Sequence, residues 1–420
     1  LSSRERSGWE RASAVPRSGS KRLISRLPNP WLLMTAVVLR GLRLGELTVT
    51  MPSGKKHRFG GRAPGPSAQV DLRDPSAGRR LVTGGGIGLA EGYMEGAWDT
   101  ADLNAVLELG AVNLQAGWTA GTPVLLRPPQ RIWHALRDND LEGARRNVQY
   151  HYDLGNDFYR LWLDRTMTYS AACFDAGEEA ETDLDLEAAQ RRKWDRMLEL
   201  VEPGRGDHLL EIGCGWGGFA IHAARETGCR VTGLTLSSEQ AEWARARVAA
   251  EGVQDQVEIR LQDYREETGS YQGIVSIEMF EAVGERWWPT FFGKLGGLLD
   301  RRSRAALQVI TITAEHFESY RRAPDFIQRY VFPGGMLPTV ERFNESAAAA
   351  GLAVGEPRFF GPDYDRTLGV WADNFEAALP QVRELGFDER FIRMWRYYFA
   401  YCRAGFRSER TNVMQVALNK

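Results

Sequence analysis

Cysteine is scarce in this chain. Cys173, Cys214, Cys229 and Cys402 are scattered through 420 residues with no C-x-x-C pair. That excludes a disulfide framework and a paired-thiol zinc site, and it points to a reducing compartment. Long apolar runs are missing too. Near the N-terminus the longest, Trp31 to Leu39 with Thr35 inside it, is too short to span a bilayer. No small-residue cleavage site of the A-x-A type accompanies it, so no secretory signal is expected. There is no nucleic-acid-binding motif and no interleaving of aromatics with basic residues, so nucleic acid is not an expected partner.

What is present describes an ordinary soluble globular protein, with 43% hydrophobic and 26% charged residues. The length allows one large core or two modest ones. The net charge of −2 hides an asymmetry: residues 1–62 hold thirteen Lys and Arg against Glu5, Glu10 and Glu46. Clustered basic charge attracts polyanions, here anionic lipid. Residues 1–25, rich in Ser, Arg and Gly, are expected to be a disordered basic leader. Trp31 to Leu44 reads as helix. Glu46–Met51 and Lys56–Phe59 read as a hairpin, and Ala68–Leu72 as a further strand. Leu89 to Trp118 reads as helical, broken at Gly96–Asp99 and capped again at Thr100 or Asp102. A domain boundary is expected between Pro129 and Gly143.

The second part is organised around His208 to Gly218. An apolar run (Leu209, Leu210, Ile212) ends in glycines at 213, 215, 217 and 218, and an amphipathic segment follows. This is strand, tight turn, helix. Glycines serve where the backbone takes positive φ or a ligand lies against it, and such a turn after a first parallel strand is where open α/β sheets bind nucleotides. Gly213, Gly215 and Gly218 also fit G-x-G-x-x-G, a weak dinucleotide signal. The second strand, Arg230–Leu236, lacks the acid that a dinucleotide ribose wants and runs instead into Ser237-Ser-Glu-Gln240. Further strands at 257–263, 273–279, 304–312 and 413–418 alternate with helical patterns, which argues for a parallel sheet covered on both faces. Asp157 to Asp164 reads as a short helix capped by Asn156, and Asp185 to Leu200 as a longer one. Residues 315–340 interrupt the alternation, with Phe317, Tyr320, Phe326, Ile327, Tyr330 and Phe332 read as apolar surface.

Gln149-Tyr-His-Tyr-Asp-Leu-Gly-Asn156, Met167-Thr-Tyr-Ser170, Glu211–Gly218, Thr235–Gln240, Leu261–Tyr264, Ser276–Gly284, Phe332–Pro338 and Asp363-Tyr-Asp365 together carry a resemblance. From about Asn147 onward the chain resembles the cyclopropane-fatty-acyl-phospholipid synthase family of S-adenosylmethionine-dependent methyltransferases. Residues 26–140, with Tyr93–Trp98, resemble more weakly the N-terminal extension of its longer members. The resemblance implies an α/β fold: a Rossmann-like class I methyltransferase at 141–420, with a mostly parallel seven-stranded sheet and a substrate-covering insertion at 315–340. It also implies a smaller N-terminal α+β domain associated with lipid. Tyr169, Ser170, Gly213, Gly215, Gly217, Thr235, Leu236, Gln240, Gln262, Asp263 and Ile277 would bind the cofactor. The reaction implied is attack of a cis alkene in a phospholipid acyl chain on the sulfonium methyl, leaving a carbocation that aromatic faces can stabilise and a base must deprotonate.

In that family the base is a bicarbonate ion caged by a Cys, a Glu, a His and a Tyr. Here Glu281 and Tyr364 match, but Ala171 stands for the Cys and Gln308 for the His. Ala171 and Ile310 still offer backbone N–H groups, and Gln308 an amide. The anion site is therefore either retained in altered form or lost, with Glu281 or another group taking the proton. The leading product is a cyclopropane ring, and a methylene- or methyl-branched chain is the alternative. Two rivals stay open: a nicotinamide-dependent oxidoreductase, and a non-catalytic lipid-binding protein on a methyltransferase scaffold. The expected partner is unsaturated phospholipid at the inner face of the cytoplasmic membrane, no metal is expected, and a homodimer is left open.

Overall fold

The structure, a computed structural model, describes residues 29–118, 143, 154–174 and 185–420. The basic leader, the expected boundary at 129–143 and the Gln149–Asp153 part of the motif lie outside the described residues.

The N-terminal part opens with helix α1 (Pro30–Leu39). It ends earlier than the expected Leu44, because the β-favouring run Leu44–Thr50 is taken up as strand β1. β1 pairs antiparallel with β2 (Lys56–Gly60) as the hairpin pattern predicts, and parallel with β3 (Ala63–Leu72). Helix α2 (Ser76–Met94) begins thirteen residues before the expected start at Leu89 and carries a break at Gly85 (φ 55°, ψ −133°). The short β4 (Trp98–Asp99) closes a four-stranded sheet. Helix α3 (Leu103–Gln115) follows, capped by the Asp102 carboxylate, which accepts from Ala105 N–H.

Next come α4 (Asn156–Arg160) and α5 (Leu186–Val201). Asn156 is not the cap of α4. Gly155, at φ +87°, holds that position, and the Asn156 side chain instead accepts from Trp216 Nε1 at 2.6 Å. The main sheet then forms as β5 (His208–Ile212), α6 (Gly218–Thr227), β6 (Arg230–Thr235), α7 (Ser238–Ala250), β7 (Val257–Leu261), β8 (Tyr271–Ile277), α8 (Trp288–Leu298) and β9 (Leu299–Ile312). After it come α9 (Ala314–Arg322), α10 (Phe326–Tyr330), α11 (Val340–Ala349), β10 (Ala353–Val354), β11 (Arg358–Phe359), α12 (Gly361–Ala377), α13 (Leu379–Glu384), α14 (Glu389–Arg407) and β12 (Thr411–Asn419).

The strand order is β10-β12-β9-β8-β5-β6-β7, with β11 also on β12. β12 runs antiparallel to β9, and the strands from β9 to β7 are parallel. This is the expected doubly wound α/β sheet, with eight strands rather than seven because β10 and β11 are separate two-residue pieces. Its C-terminal edge, where the glycine turn lies, is where such folds bind ligands.

The N-terminal part shares its core with the larger part. Ala90, Tyr93, Trp98 and Leu109 belong to one buried cluster with Phe158, Trp162, Trp371 and Trp395. Arg393 of α14 fixes the junction: its guanidinium lies 3.9 Å from the Tyr93 ring centroid and donates to Trp98 O at 3.0 Å. The 315–340 segment corrects the sequence reading. Phe317, Tyr320 and Phe326 are buried, and Ile327 and Phe332 line an internal cavity. Tyr320 also lines that cavity, and Phe317 and Phe326 pack in the core, so the segment does not form an outer apolar surface.

Candidate active site

The turn after β5 adopts the backbone its glycines allow. Gly213, Gly215 and Gly217 all have positive φ. At Gly213 a Cβ would sit 2.8 Å from Met279 Cγ, so the turn packs too closely for a side chain. At Gly215 a Cβ would meet no described atom within 4 Å, and the space it would enter is a cavity of about 460 Å³, in the range of small-molecule sites. Gly217 caps α6 and packs near Ala244, and it does not line the cavity.

The other residues expected to bind cofactor converge there. Tyr169, Ser170, Gly213, Gly215, Thr235, Leu236, Gln240, Gln262, Asp263 and Ile277 all line this cavity. Thr235 Oγ1 donates to Gln240 Oε1 at 2.9 Å, which orients the Gln240 amide. Asp263 is already held by Arg265, whose Nε and Nη2 donate to its two oxygens at 2.9 and 2.7 Å. Ser170 Oγ accepts from the buried ammonium of Lys193 at 2.6 Å, leaving its own proton to give. Glu211 lines the cavity with one buried oxygen unpartnered, and burial pushes its carboxyl up to about 8.

This donor set suits S-adenosylmethionine. The unpartnered Glu211 oxygen and a glycine turn can meet the ammonium and carboxylate of its methionine part, and the Thr235, Gln240 and Gln262 groups can meet ribose and base. Replacing Gly215 with valine forces a β-branched residue to φ +52° and pushes its side chain into the free space. Affinity for S-adenosylhomocysteine should fall on the order of 100-fold, ~3 kcal/mol. Unchanged binding by titration calorimetry would remove the cofactor from this turn.

Beyond the turn lies the cage. Tyr364 and Glu281 reach the cavity, whereas Gln308 and Ala171 are buried behind it. Ile310 N–H donates to Oε1 of Glu281. At the centre of these five stands a sixth group that no motif singles out, Glu278. Its Oε1 accepts from Ala171 N–H at 2.8 Å and Gln308 Nε2 at 2.7 Å, and its Oε2 accepts from the Tyr364 hydroxyl at 2.6 Å. The donors expected to hold a free anion thus hold a carboxylate of the chain. Glu278 reaches them because it leaves β8 at φ +49°, an uncommon conformation for a non-glycine residue and typical of strained functional sites. Gln415 donates at 2.9 Å to the Gln308 carbonyl oxygen, so the Gln308 amide must aim its N–H₂ at Glu278.

The two carboxyls differ. Burial raises Glu278, while Tyr364, Lys193, Gln308 and Ala171 all oppose the rise. Burial, and then the charge of Glu278, push Glu281 up to about 8. One of its oxygens is buried without a partner. Of the pair, Glu278 ionises first and Glu281 holds its proton through neutrality.

The sequence profile of the family described as mycolic acid cyclopropane synthetase matches residues 139–416. The chain is 38% identical to the tuberculostearic acid methyltransferase UfaA1 of Mycobacterium tuberculosis, over 98% of this chain and 95% of that one. It is 33% identical to the cyclopropane-fatty-acyl-phospholipid synthase of Escherichia coli, over 84% and 88%. Among solved structures, the cyclopropane synthase MmaA2 from Mycobacterium tuberculosis superposes with a TM-score of 0.62 at 32% identity, covering 67% of this chain and all of that one. The mycolic acid cyclopropane synthase CmaA1 complexed with SAH and CTAB gives 0.61 at 32% identity, covering 66% and 98%.

Proposed function

This chain belongs to the mycolic acid cyclopropane synthetase family and is an S-adenosylmethionine-dependent methyltransferase acting on a lipid acyl chain, and from that premise we propose that its product is a methylene-branched chain, with Glu278 as the proton acceptor. The observation that carries this reading is the Glu278 carboxylate seated on the donors of Ala171, Gln308 and Tyr364. A relative matched over nearly the whole chain is named for tuberculostearic acid, a methyl-branched product.

When bound, S-adenosylmethionine supplies an electrophilic methyl group on a sulfonium. The alkene π pair forms the new C–C bond, and the electrons of the broken S–C bond stay on sulfur. The cation left on the acyl chain faces Tyr169, Phe332 and Tyr364 in the cavity wall, whose aromatic faces can stabilise it. After a hydride shift to the methylated carbon's neighbour, the new methyl loses a proton to Glu278 and a C=CH₂ group forms. No reductant is consumed. A saturated methyl branch would need a hydride donor from a separate reductive reaction. Fixed by three donors, Glu278 replaces a diffusible ion, so bicarbonate is not required on this reading.

The substrate is proposed to be unsaturated phospholipid reached at a membrane surface. Among the described residues no helix is long and apolar enough to cross a membrane. α1 exposes Leu33, Met34 and Val37, and residues 29–62 carry Arg40, Arg43, Lys55, Lys56, Arg58 and Arg62 against Glu46 alone. The test is incubation with cofactor and anionic vesicles of oleoyl phospholipid in degassed and in bicarbonate-supplemented buffer. Ring and methylene products share a mass, so oxidative cleavage or the exomethylene proton signals must tell them apart. Methylene product at equal rates in both buffers is expected, with turnover falling as salt screens the surface. A cyclopropane product, or a rate that needs bicarbonate, would overturn the proposal.

A further inference from the structure

The cavity that holds the glycine turn and the two carboxyls does not end in the methyltransferase part. It continues between α2 and α3, where Leu81, Gly86, Leu89, Leu107, Gly110 and Leu114 line it. Among the described residues of this stretch the lining is apolar, and its one polar atom, Trp118 Nε1, is given to Val38 O, which suits a hydrocarbon ligand.

Two glycines here lack an ordinary reason. Gly110 lies within α3, where glycine costs stability relative to alanine, and Gly86 directly follows the break in α2. Neither has a positive φ, so the backbone does not require glycine, unlike Gly85 beside the first. Nor does packing require it: a Cβ added at either position meets no described atom within 4 Å. Gly88, two residues on, shows the contrast, since a Cβ there would fall 1.9 Å from Arg80 O. What remains beside Gly110, which is half-buried, and beside Gly86, which is exposed, is the open space of the cavity.

We propose that the methyl-terminal stretch of the acyl substrate runs between α2 and α3, and that Gly86 and Gly110 set the chain length that fits. This rests on the reading of the substrate as a lipid acyl chain. The terminal methyl suits a lining without polar groups, whereas a headgroup must keep contact with water. The N-terminal part is then a wall of the substrate site, which explains why it shares a core with the methyltransferase part.

The experiment compares palmitoleoyl and oleoyl phosphatidylglycerol vesicles, whose double bonds lie equally far from the carboxyl end and whose chains differ only on the methyl side. With the full chain as Gly110→Leu, and separately as Gly86→Leu, kcat/KM for the oleoyl lipid should fall by about tenfold or more. The palmitoleoyl lipid should lose much less, and S-adenosylhomocysteine affinity should not change. Gly110→Ala and Gly86→Ala gain helix propensity and keep the test open should leucine prevent folding. They should move the oleoyl-to-palmitoleoyl ratio the same way by a smaller factor. Equal loss on both lipids, or no loss on either, with cofactor binding intact, overturns the channel assignment. Wild-type protein that methylates neither lipid defeats the acyl-chain reading instead, so the two failures are distinguishable.

Discussion

Glu278→Gln should lower turnover by about 10²–10⁴-fold, the contribution expected of a positioned proton acceptor, while S-adenosylhomocysteine binds as before. The amide keeps the size of the carboxylate, and its oxygen can still accept from Ala171 N–H and Gln308 while its N–H₂ donates to the Tyr364 hydroxyl, but it cannot take a proton from the substrate cation. Glu278→Ala goes further, because it vacates a space lined by the donors of Ala171, Gln308 and Tyr364. Bicarbonate or acetate in the buffer should then occupy that space and restore part of the rate to the alanine variant, not to the glutamine one. Glu281→Gln is the necessary contrast. With its carboxyl pushed up to about 8, Glu281 is neutral at pH 7, and glutamine imitates the neutral form. Turnover within a few-fold of wild type is expected. A collapse at Glu281 with Glu278→Gln active would reverse the assignment and make Glu281 the base.

The reversal would matter because the two acids are three residues apart and indistinguishable by type. Matching the chain to its family put the acid at Glu281, and along a one-dimensional pattern nothing contradicts that. Which carboxylate fills the cage depends on Ala171, Gln308 and Tyr364 meeting at one point. They come from the loop before α5, from β9 and from α12, and only the fold brings them together. By contrast the glycine turn and the parallel strands around it were legible in the periodicity of short strand-turn-helix units, and the resemblance to a family supplied the residues that line the cavity. The N-terminal contribution was not. The run Thr83-Gly-Gly-Gly-Ile-Gly88 has such poor helix propensity that the helix was expected to start at Leu89. Packing against α14 holds α2 helical through it, with its break at Gly85. The aromatics of 315–340 were misread for a related reason, because composition shows that a segment is apolar but not which way it faces.

Lys193→Met should move the acid limb of the pH–rate profile to higher pH, with the loss of turnover greatest on the acid side. Lys193 sits on α5, fully buried, with its ammonium given to Ser170 Oγ and Gln190 Oε1. Burial drives it down to about 8, and the charge of Glu278 is the largest influence holding it up. The coupling is mutual: the ammonium is one of the groups that restrain the rise of Glu278. The sign follows from the acceptor role. Glu278 works only when ionised, so activity is lost as pH falls through its raised pKa. Removing the nearby cation raises that pKa further and carries the loss to higher pH. The fold should survive, because an uncompensated buried carboxylate can take up a proton rather than remain charged. Raising the pH ionises Glu278 again, so the variant should regain much of its rate in alkaline buffer. A positioning role confined to Ser170 would give a different result, a weaker affinity for cofactor with the acid limb unmoved, and that outcome would sever Lys193 from the proton transfer.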